Sequence, residues 1–310
     1  MPRQSSSLTT HIINGLLGIE PLANALKQQA RTMMIKRAEG IGVPWQTQTQ
    51  DLGSRGSDLA FHPLWDEELA QVQNLTLTYP DYYLRPFHAY RDGNLGWLPA
   101  LEVEVAARAV HAKIWPEAGA QGDAKLRQSY HQVLRAQLAS PPQTIVDLGC
   151  SVGMSTETLQ TIYPQAQVTG VDLSPYFLTV ARYRQRQTGY GIQWVHAPAE
   201  ATGLPDESFE LASACLVFHE LPQAAAVAIL REAYRLVRPG GYLGIMDMNP
   251  ASEVFATLPA YVFTLLKSTE PYLDDYFELD LPGAIVQAGF NAPTVTSNSP
   301  RHRTLVARKA

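Results

Sequence analysis

The residues from Thr144 onward predict an α/β fold: a doubly wound, mostly parallel sheet of seven strands with a C-terminal antiparallel hairpin, preceded by a mainly helical cap. In this second half, apolar strand-like runs alternate with helix-like runs, as in a parallel sheet covered on both faces. The helix-like runs carry their own start and stop residues. The tail places two β-rich runs on either side of Asn298 to Pro300, the mark of a hairpin.

In chain order the strands are TIVDLG from Thr144, QVTGVDL from Gln167, IQWVH from Ile192, FELASACLVF from Phe209 and GYLGIMDM from Gly241. Ahead of the first, DAKLRQSYHQVLRAQLA from Asp123 puts Leu126, Tyr130, Val133, Leu134 and Leu138 on one helical face. After the second, SPYFLTVARYRQRQ opens with Ser174 as helix cap and Pro175 as first helical residue, where a missing N–H costs nothing. Before the fifth, PQAAAVAILREAYRLVRPGG spaces Leu230, Ala233, Tyr234 and Val237 as a helix and stops at Pro239-Gly240-Gly241. Residues before Thr144 lack this alternation and cluster Pro, Tyr and Trp. A boundary near Gln121 to Gly122 therefore separates a cap of residues 1–122 from a sheet domain of residues 123–310.

With 310 residues, 45% of them hydrophobic, the chain can bury one large core or two modest ones. A net charge of -5 argues against a broad basic footprint for nucleic acid. No apolar run approaches a membrane span, and MPRQSSSLTT lacks the order of a signal peptide. The two cysteines, Cys150 and Cys215, fall beside or within buried strands, so a reducing, cytoplasmic setting is expected.

The loop GCSVG after the first strand has the small residues that let a ligand approach the backbone. A dinucleotide fingerprint would need glycine at 149, 151 and 154, where 151 and 154 are Ser and Met. The tighter spacing G-x-G-x-G departs only at Ser151, a small residue, and fits better. Asp172 ends the second strand 23 residues after Gly149, where a carboxylate can accept hydrogen bonds from both hydroxyls of a ribose. No P-loop lysine accompanies the loop.

With these features in order, the chain from Thr144 to its end resembles the class I S-adenosylmethionine-dependent methyltransferases. VDLGCSVG resembles the family's first motif, VTGVDLS its second-strand acid, APAEATGLPDESFELA its adenine loop, and YRLVRPGGYLGIMD its turn into the fifth strand. The resemblance implies a Rossmann-like sheet and S-adenosylmethionine as cofactor. It assigns Gly149, Ser151 and Gly153 to the cofactor loop, Asp172 to the ribose, Leu173 to the adenine face, and Ala199 and Glu200 to the adenine edge. Asp147 would lie near the methionine end, where its charge suits the ammonium. A lysine in the loop would repel this cationic ligand.

Methyl transfer is an in-line displacement at an activated carbon, so a protein mainly supplies alignment and sometimes a base. The segment after the fourth strand, which faces the methyl group in this family, reads VFHELP and makes His219 the candidate base. It lacks the Asn/Asp-Pro-Pro-aromatic motif of enzymes that methylate adenine or glutamine nitrogen. The five acids of EPYLDDYFELD are read as a solvated face, with no metal site.

Substrate identity is expected from the first half. YPDYYLRPFHAYRDGNLGW carries six aromatic residues in nineteen, suited either to a pocket for a small aromatic or lipophilic acceptor or to a local aromatic core. His88, Tyr90, Asp92, Asn94 and Trp97 are its candidate acceptor contacts. This half resembles the N-terminal region of little-characterised cyanobacterial and plastid methyltransferases, and the second half resembles the branch that methylates quinone rings. The alternatives are a binding or assembly factor that keeps the fold without catalysis, and non-methyl chemistry on the same cofactor. Residues 21–38 form a helix with Lys27, Arg31, Lys36 and Arg37 and no acid, with Leu22, Ala25, Leu26, Ala30 and Met33 on an apolar stripe. Such a helix can touch an anionic membrane weakly.

Overall fold

The computed structural model describes residues 20–310; the MPRQSSSLTT segment and the side chain of Leu22 lie outside the described residues. The sheet has strands β1 (Thr144–Leu148), β2 (Gln167–Asp172), β3 (Gln193–His196), β4 (Phe209–Cys215), β5 (Val237–Met248), β6 (Thr294–Ser297) and β7 (His302–Arg308), in the order β3-β2-β1-β4-β5-β7-β6. The first five pair in parallel, and β7 runs antiparallel to both β5 and β6. This is the seven-stranded sheet and closing hairpin that the sequence predicts. The order reverses between β1 and β4, which opens a crevice at the C-terminal ends of the strands.

The helices are α1 (Glu20–Gly40), α2 (Trp45–Ser54), α3 (Leu64–Val72), α4 (Trp97–His111), α5 (Gly122–Gln137), α6 (Met154–Ile162), α7 (Pro175–Thr188), α8 (Gln223–Leu236), α9 (Glu253–Ala256), α10 (Ala260–Thr269), α11 (Leu273–Glu278) and α12 (Leu281–Gln287). On α5 the predicted stripe packs on the sheet, with Leu126, Tyr130 and Leu134 fully buried. The Tyr130 hydroxyl donates to the Gly244 carbonyl at 3.0 Å, and a Cβ on Gly244 would come within 2.6 Å of Leu134. Ser174 caps α7 through the Phe177 N–H, as its position before Pro175 predicts.

Two boundaries differ from the sequence expectation. The fourth strand stops at Cys215 instead of running to Phe218, because Leu216 adopts φ +62° and the chain turns into a 3-10 turn over Phe218–Glu220. The fifth begins at Val237, before Pro239-Gly240-Gly241. Val237 pairs with Phe209 and Tyr242 with Leu211, so those residues bulge within the strand instead of ending the helix outside it.

The N-terminal helices dock on this frame through aromatic contacts. Trp65 of α3 is fully buried and packs with Trp97 and Tyr183, while the Arg55 guanidinium lies 3.8 Å from the Trp65 ring centre. This cluster packs α3 and α4 against α7.

Candidate active site

A cavity of about 530 Å³ opens at the crevice between the ends of β1, β2 and β4 and the N-terminal helices. Its floor is the loop after β1, where Gly149, Ser151 and Gly153 all have left-handed φ, at +71°, +52° and +83°. For Ser151 that conformation is uncommon and needs support from its surroundings. Support comes from Asp172: the Ser151 N–H donates to one carboxylate oxygen at 2.7 Å, and the Ser174 N–H donates to the other at 2.8 Å. One side chain thus ties the loop to the turn after β2. Burial, opposed by these N–H donors, pushes the Asp172 carboxyl up to about 6. The Leu173 N–H also favours the charged carboxylate, which keeps lone-pair capacity for a ligand hydroxyl. The Ser151 Oγ is buried with no partner among the described residues.

The glycines also answer to the protein itself. A Cβ at Gly149 would meet Val217 at 2.7 Å, and one at Gly153 would meet Trp194 at 2.6 Å. The small size of Gly153 therefore admits an indole, and it is not among the cavity walls. Asp147 also lies behind the loop, 1% exposed, where its carboxylate accepts from the Thr156 hydroxyl at 2.7 Å and burial pushes it up to about 6. It has no face on the cavity, in contrast to its expected place beside the cofactor's ammonium. Leu173, Ala199 and Glu200 do line the cavity, and Glu200 accepts from the Tyr82 hydroxyl.

Sequence reasoning missed Arg127. It leaves the sheet-facing stripe of α5, enters the cavity beside Cys150, Ser155 and Cys215, and donates to the Ser155 hydroxyl at 2.7 Å and to Asp123 at 3.0 Å. Against burial, the charge of Arg127 holds the Asp123 carboxyl well below the carboxylate range. Its sequence signal is slight, an arginine next to Leu126 at the edge of a buried face.

His219 lines the cavity from the 3-10 turn after β4, and its Nδ1 is 2.7 Å from Asp247 of β5. Asp247 is fully buried and also accepts from the backbone N–H groups of His219 and Met248. Burial alone would lower the imidazole, but the Asp247 charge and hydrogen bond outweigh it and raise His219 to about 10. Glu220 stands 4.0 Å from His219 Nε2 and 3.7 Å from His88 Nε2, and burial raises it to about 7 against the pull of both rings. His88 is 3.1 Å from Glu270, whose charge brings it to about 8 in spite of burial. Glu270 was expected on a solvated face; it is buried at the end of α10, while Asp274 pairs with Lys267. Among the described residues, no three His, Cys, Asp or Glu side chains converge to hold a metal ion.

The other acceptor candidates divide. Tyr82, Tyr83, Phe87, His88, Tyr90 and Asn94 line the cavity, with the Tyr90 hydroxyl donating to Glu102 at 2.6 Å. Trp97 and Asp92 do not; Trp97 packs in the aromatic cluster of Phe61, Trp65 and Tyr176. Part of the aromatic segment therefore faces the cavity and part packs as a local aromatic core. On α1, Arg31 makes a bidentate pair with Glu102 at 2.5 and 2.6 Å, and Arg37 donates to the Ala109 carbonyl, so half of the expected membrane-facing charge points inward. Met33 and Ala25 are exposed, whereas Ala38 is buried with Met34 and Ile35 against Val105 and Ala109. No described helix is long and apolar enough to cross a membrane.

The family model described as a methyltransferase domain matches residues 146–245. An uncharacterised methyltransferase from Synechocystis sp. is 30% identical over 164 residues, covering 53% of this chain and 74% of that protein. The chain belongs to the class I S-adenosylmethionine-dependent methyltransferases, whose cofactor is S-adenosylmethionine. A ubiquinone biosynthesis O-methyltransferase from Pseudomonas paraeruginosa is 33% identical over 137 residues, or 43% of this chain and 56% of the relative, so the chain spans just over half the length of that protein. In fold, the chain is similar to a proposed O-methyltransferase from Nostoc punctiforme, with a TM-score of 0.50 and 18% identity over 66% of this chain and 60% of the other.

Proposed function

We propose that the protein transfers a methyl group from S-adenosylmethionine to a small, aromatic or lipophilic acceptor. The observation that supports this best is the continuity of one cavity from the Ser151–Asp172 loop, past the His219–Glu220–His88 cluster, to apolar walls from α1, α4 and α10. When bound, S-adenosylmethionine supplies the activated methyl group and a positive charge. Asp172 accepts from the ribose hydroxyls, Leu173 packs on the adenine, Ala199 and Glu200 meet its edge, and the orphaned Ser151 hydroxyl gains a partner. Arg127 holds the amino-acid carboxylate, the work a buried guanidinium does best.

The acceptor lies against His219 and Glu220. His219, at about 10, keeps its proton at neutral pH, so it serves as a hydrogen-bond donor that orients the acceptor, in place of the free base that its position suggested. Glu220, at about 7, is the group able to take up the acceptor's proton, with His88 beside it. His88 and Tyr90 complete the acceptor side. The Pseudomonas relative acts in ubiquinone biosynthesis, and a quinone-like ring is one acceptor that suits these walls.

Methyl-labelled S-adenosylmethionine incubated with the purified protein and a small-molecule extract tests the proposal. Label appearing in a product heavier by one methylene supports it. Binding of S-adenosylhomocysteine without any label transfer would favour a non-catalytic binding factor, and a carboxylated or decarboxylated cofactor in the purified protein would favour other chemistry.

A further inference from the structure

The cavity contains two cations that the methyl-transfer residues leave unmatched. Arg37 of α1 and Arg301, just before β7, both line it. Arg37 donates to the Ala109 carbonyl at 3.4 Å and Arg301 to the Val110 carbonyl at 2.8 Å, at the C-terminal end of α4. That end is about 11 Å along the helix from Glu102, which accepts from the Tyr90 hydroxyl on the same cavity's wall. Between the two levels the walls include Met33, Met34, Val103, Ala106 and Leu266.

No carboxylate pairs with either guanidinium among the described residues, and residues 1–19 contain no Asp or Glu. The nearby acid, Asp123, is engaged by Arg127 and His111. Burial, with the Arg37 charge adding to it, pushes Arg301 down to about 10. Two like charges beside an apolar cavity are unfavourable without a counter-charge. The partial negative charge at the end of α4 offsets part of this cost and engages one N–H of each. A guanidinium has several further donors in a planar fork, and the Arg301 Nε is buried with no partner.

We propose that Arg37 and Arg301 form an anion subsite that receives the acidic group of an amphiphilic acceptor, a carboxylate or phosphate on an apolar body held by the walls from α1, α4 and α10. Calling this ligand the acceptor rests on the methyltransferase reading; the subsite itself does not. Planar bidentate recognition is what arginine does better than lysine.

Calorimetric titration of the full chain with decanoate, monodecyl phosphate and decanol tests the subsite, with S-adenosylhomocysteine titrated separately. The expected result is at least about 10-fold tighter binding of an anion than of decanol. Arg37→Gln and Arg301→Gln should each remove most of that preference while leaving decanol and S-adenosylhomocysteine affinity within about twofold. Lys36→Gln, on the exposed face of α1, should change none of them. Which anion binds better identifies the headgroup. Equal binding of decanol and both anions by the unaltered protein overturns the proposal, as does an anion preference that survives in folded Arg37→Gln and Arg301→Gln. If Arg301→Gln does not fold, the half-buried Arg37→Gln decides alone. Anion preference without S-adenosylhomocysteine binding would sink the methyltransferase reading and leave the subsite standing.

Discussion

The two ends of the cavity are assembled in opposite ways. The end proposed for the cofactor is made from the turns after β1, β2 and β3, and one carboxylate, Asp172, ties the first two together through backbone N–H groups. The end proposed for the acceptor is made from side chains of distant segments: His88 meets Glu270, Arg31 meets Glu102, and His219 meets Asp247. Backbone turns fixed by a sheet can bind a constant ligand, because their geometry survives substitution of neighbouring side chains. Clusters of paired charges on helices and loops can be exchanged without disturbing the sheet, and they suit the part of a site that varies among relatives.

If the two ends are built independently, substitutions should separate cofactor affinity from methyl transfer. The largest effect is expected for His219→Asn, which removes the donor that orients the acceptor and should lower methyl transfer roughly 100-fold through misalignment while S-adenosylhomocysteine affinity stays within about threefold. An equal loss of both would show that the ends are not independent. Asp172→Ala should show the converse, a loss of about 30- to 100-fold in S-adenosylhomocysteine affinity by calorimetry. Its melting temperature should also fall, because the Ser151 and Ser174 N–H groups lose their acceptor. Unchanged affinity would refute the ribose assignment.

Arg127→Gln is expected to weaken S-adenosylhomocysteine by about 10-fold, with a smaller effect on an analogue that lacks the amino-acid carboxylate. Similar losses for both ligands would mean that Arg127 only braces the loop. Glu220→Gln tests the proton acceptor through pH. Methyl transfer by the unaltered protein should rise as Glu220 deprotonates through about 7, and the variant should be slower by about 10-fold and lack that limb. A limb that persists in the variant belongs to another group.

The smallest effect concerns stability. His219 is near its ordinary value of 6.5 in the unfolded chain and about 10 when folded, so folding favours its protonated form. Its contribution is complete below 6.5 and disappears as pH rises through 10. Between pH 7 and 10 the melting temperature should therefore fall more steeply for the unaltered protein than for His219→Asn; parallel slopes would mean that Asp247 does not raise the ring.

The glycine loop shows how an accurate motif can carry an incomplete reason. Spacing locates Gly149, Ser151 and Gly153, and their small size predicts room for a ligand. At Gly153 the room is taken by Trp194 of β3, which pairs with Gly170 of β2 and lays its indole beside both glycines. Likewise the bulge at Pro239-Gly240-Gly241 belongs to the pairing of β5 with β4, which no local turn signal records. In the acidic stretch from Glu270, counting charges suggested a solvated face, yet Glu270 is buried against His88 while its neighbours toward α11 are more exposed.

Legible in the chain's local pattern are the alternation of strands and helices, the closing hairpin, the small-residue loop after β1, and Asp172 and His219 at or just after the ends of their strands. These depend on residues a few places apart, whose periodicity and turn chemistry act locally. Which side chains are buried, and what they meet, follows from long-range packing: Arg127 enters the cavity, Asp147 lies behind the loop, Trp97 joins the aromatic cluster, and Arg37 meets the end of α4 beside Arg301. Arg31 reaches Glu102 across 71 positions of the chain, and Arg301 reaches Val110 across 191. A charged residue reads alike in sequence whether water or another charge compensates it. Which one does so is decided when packing removes the water.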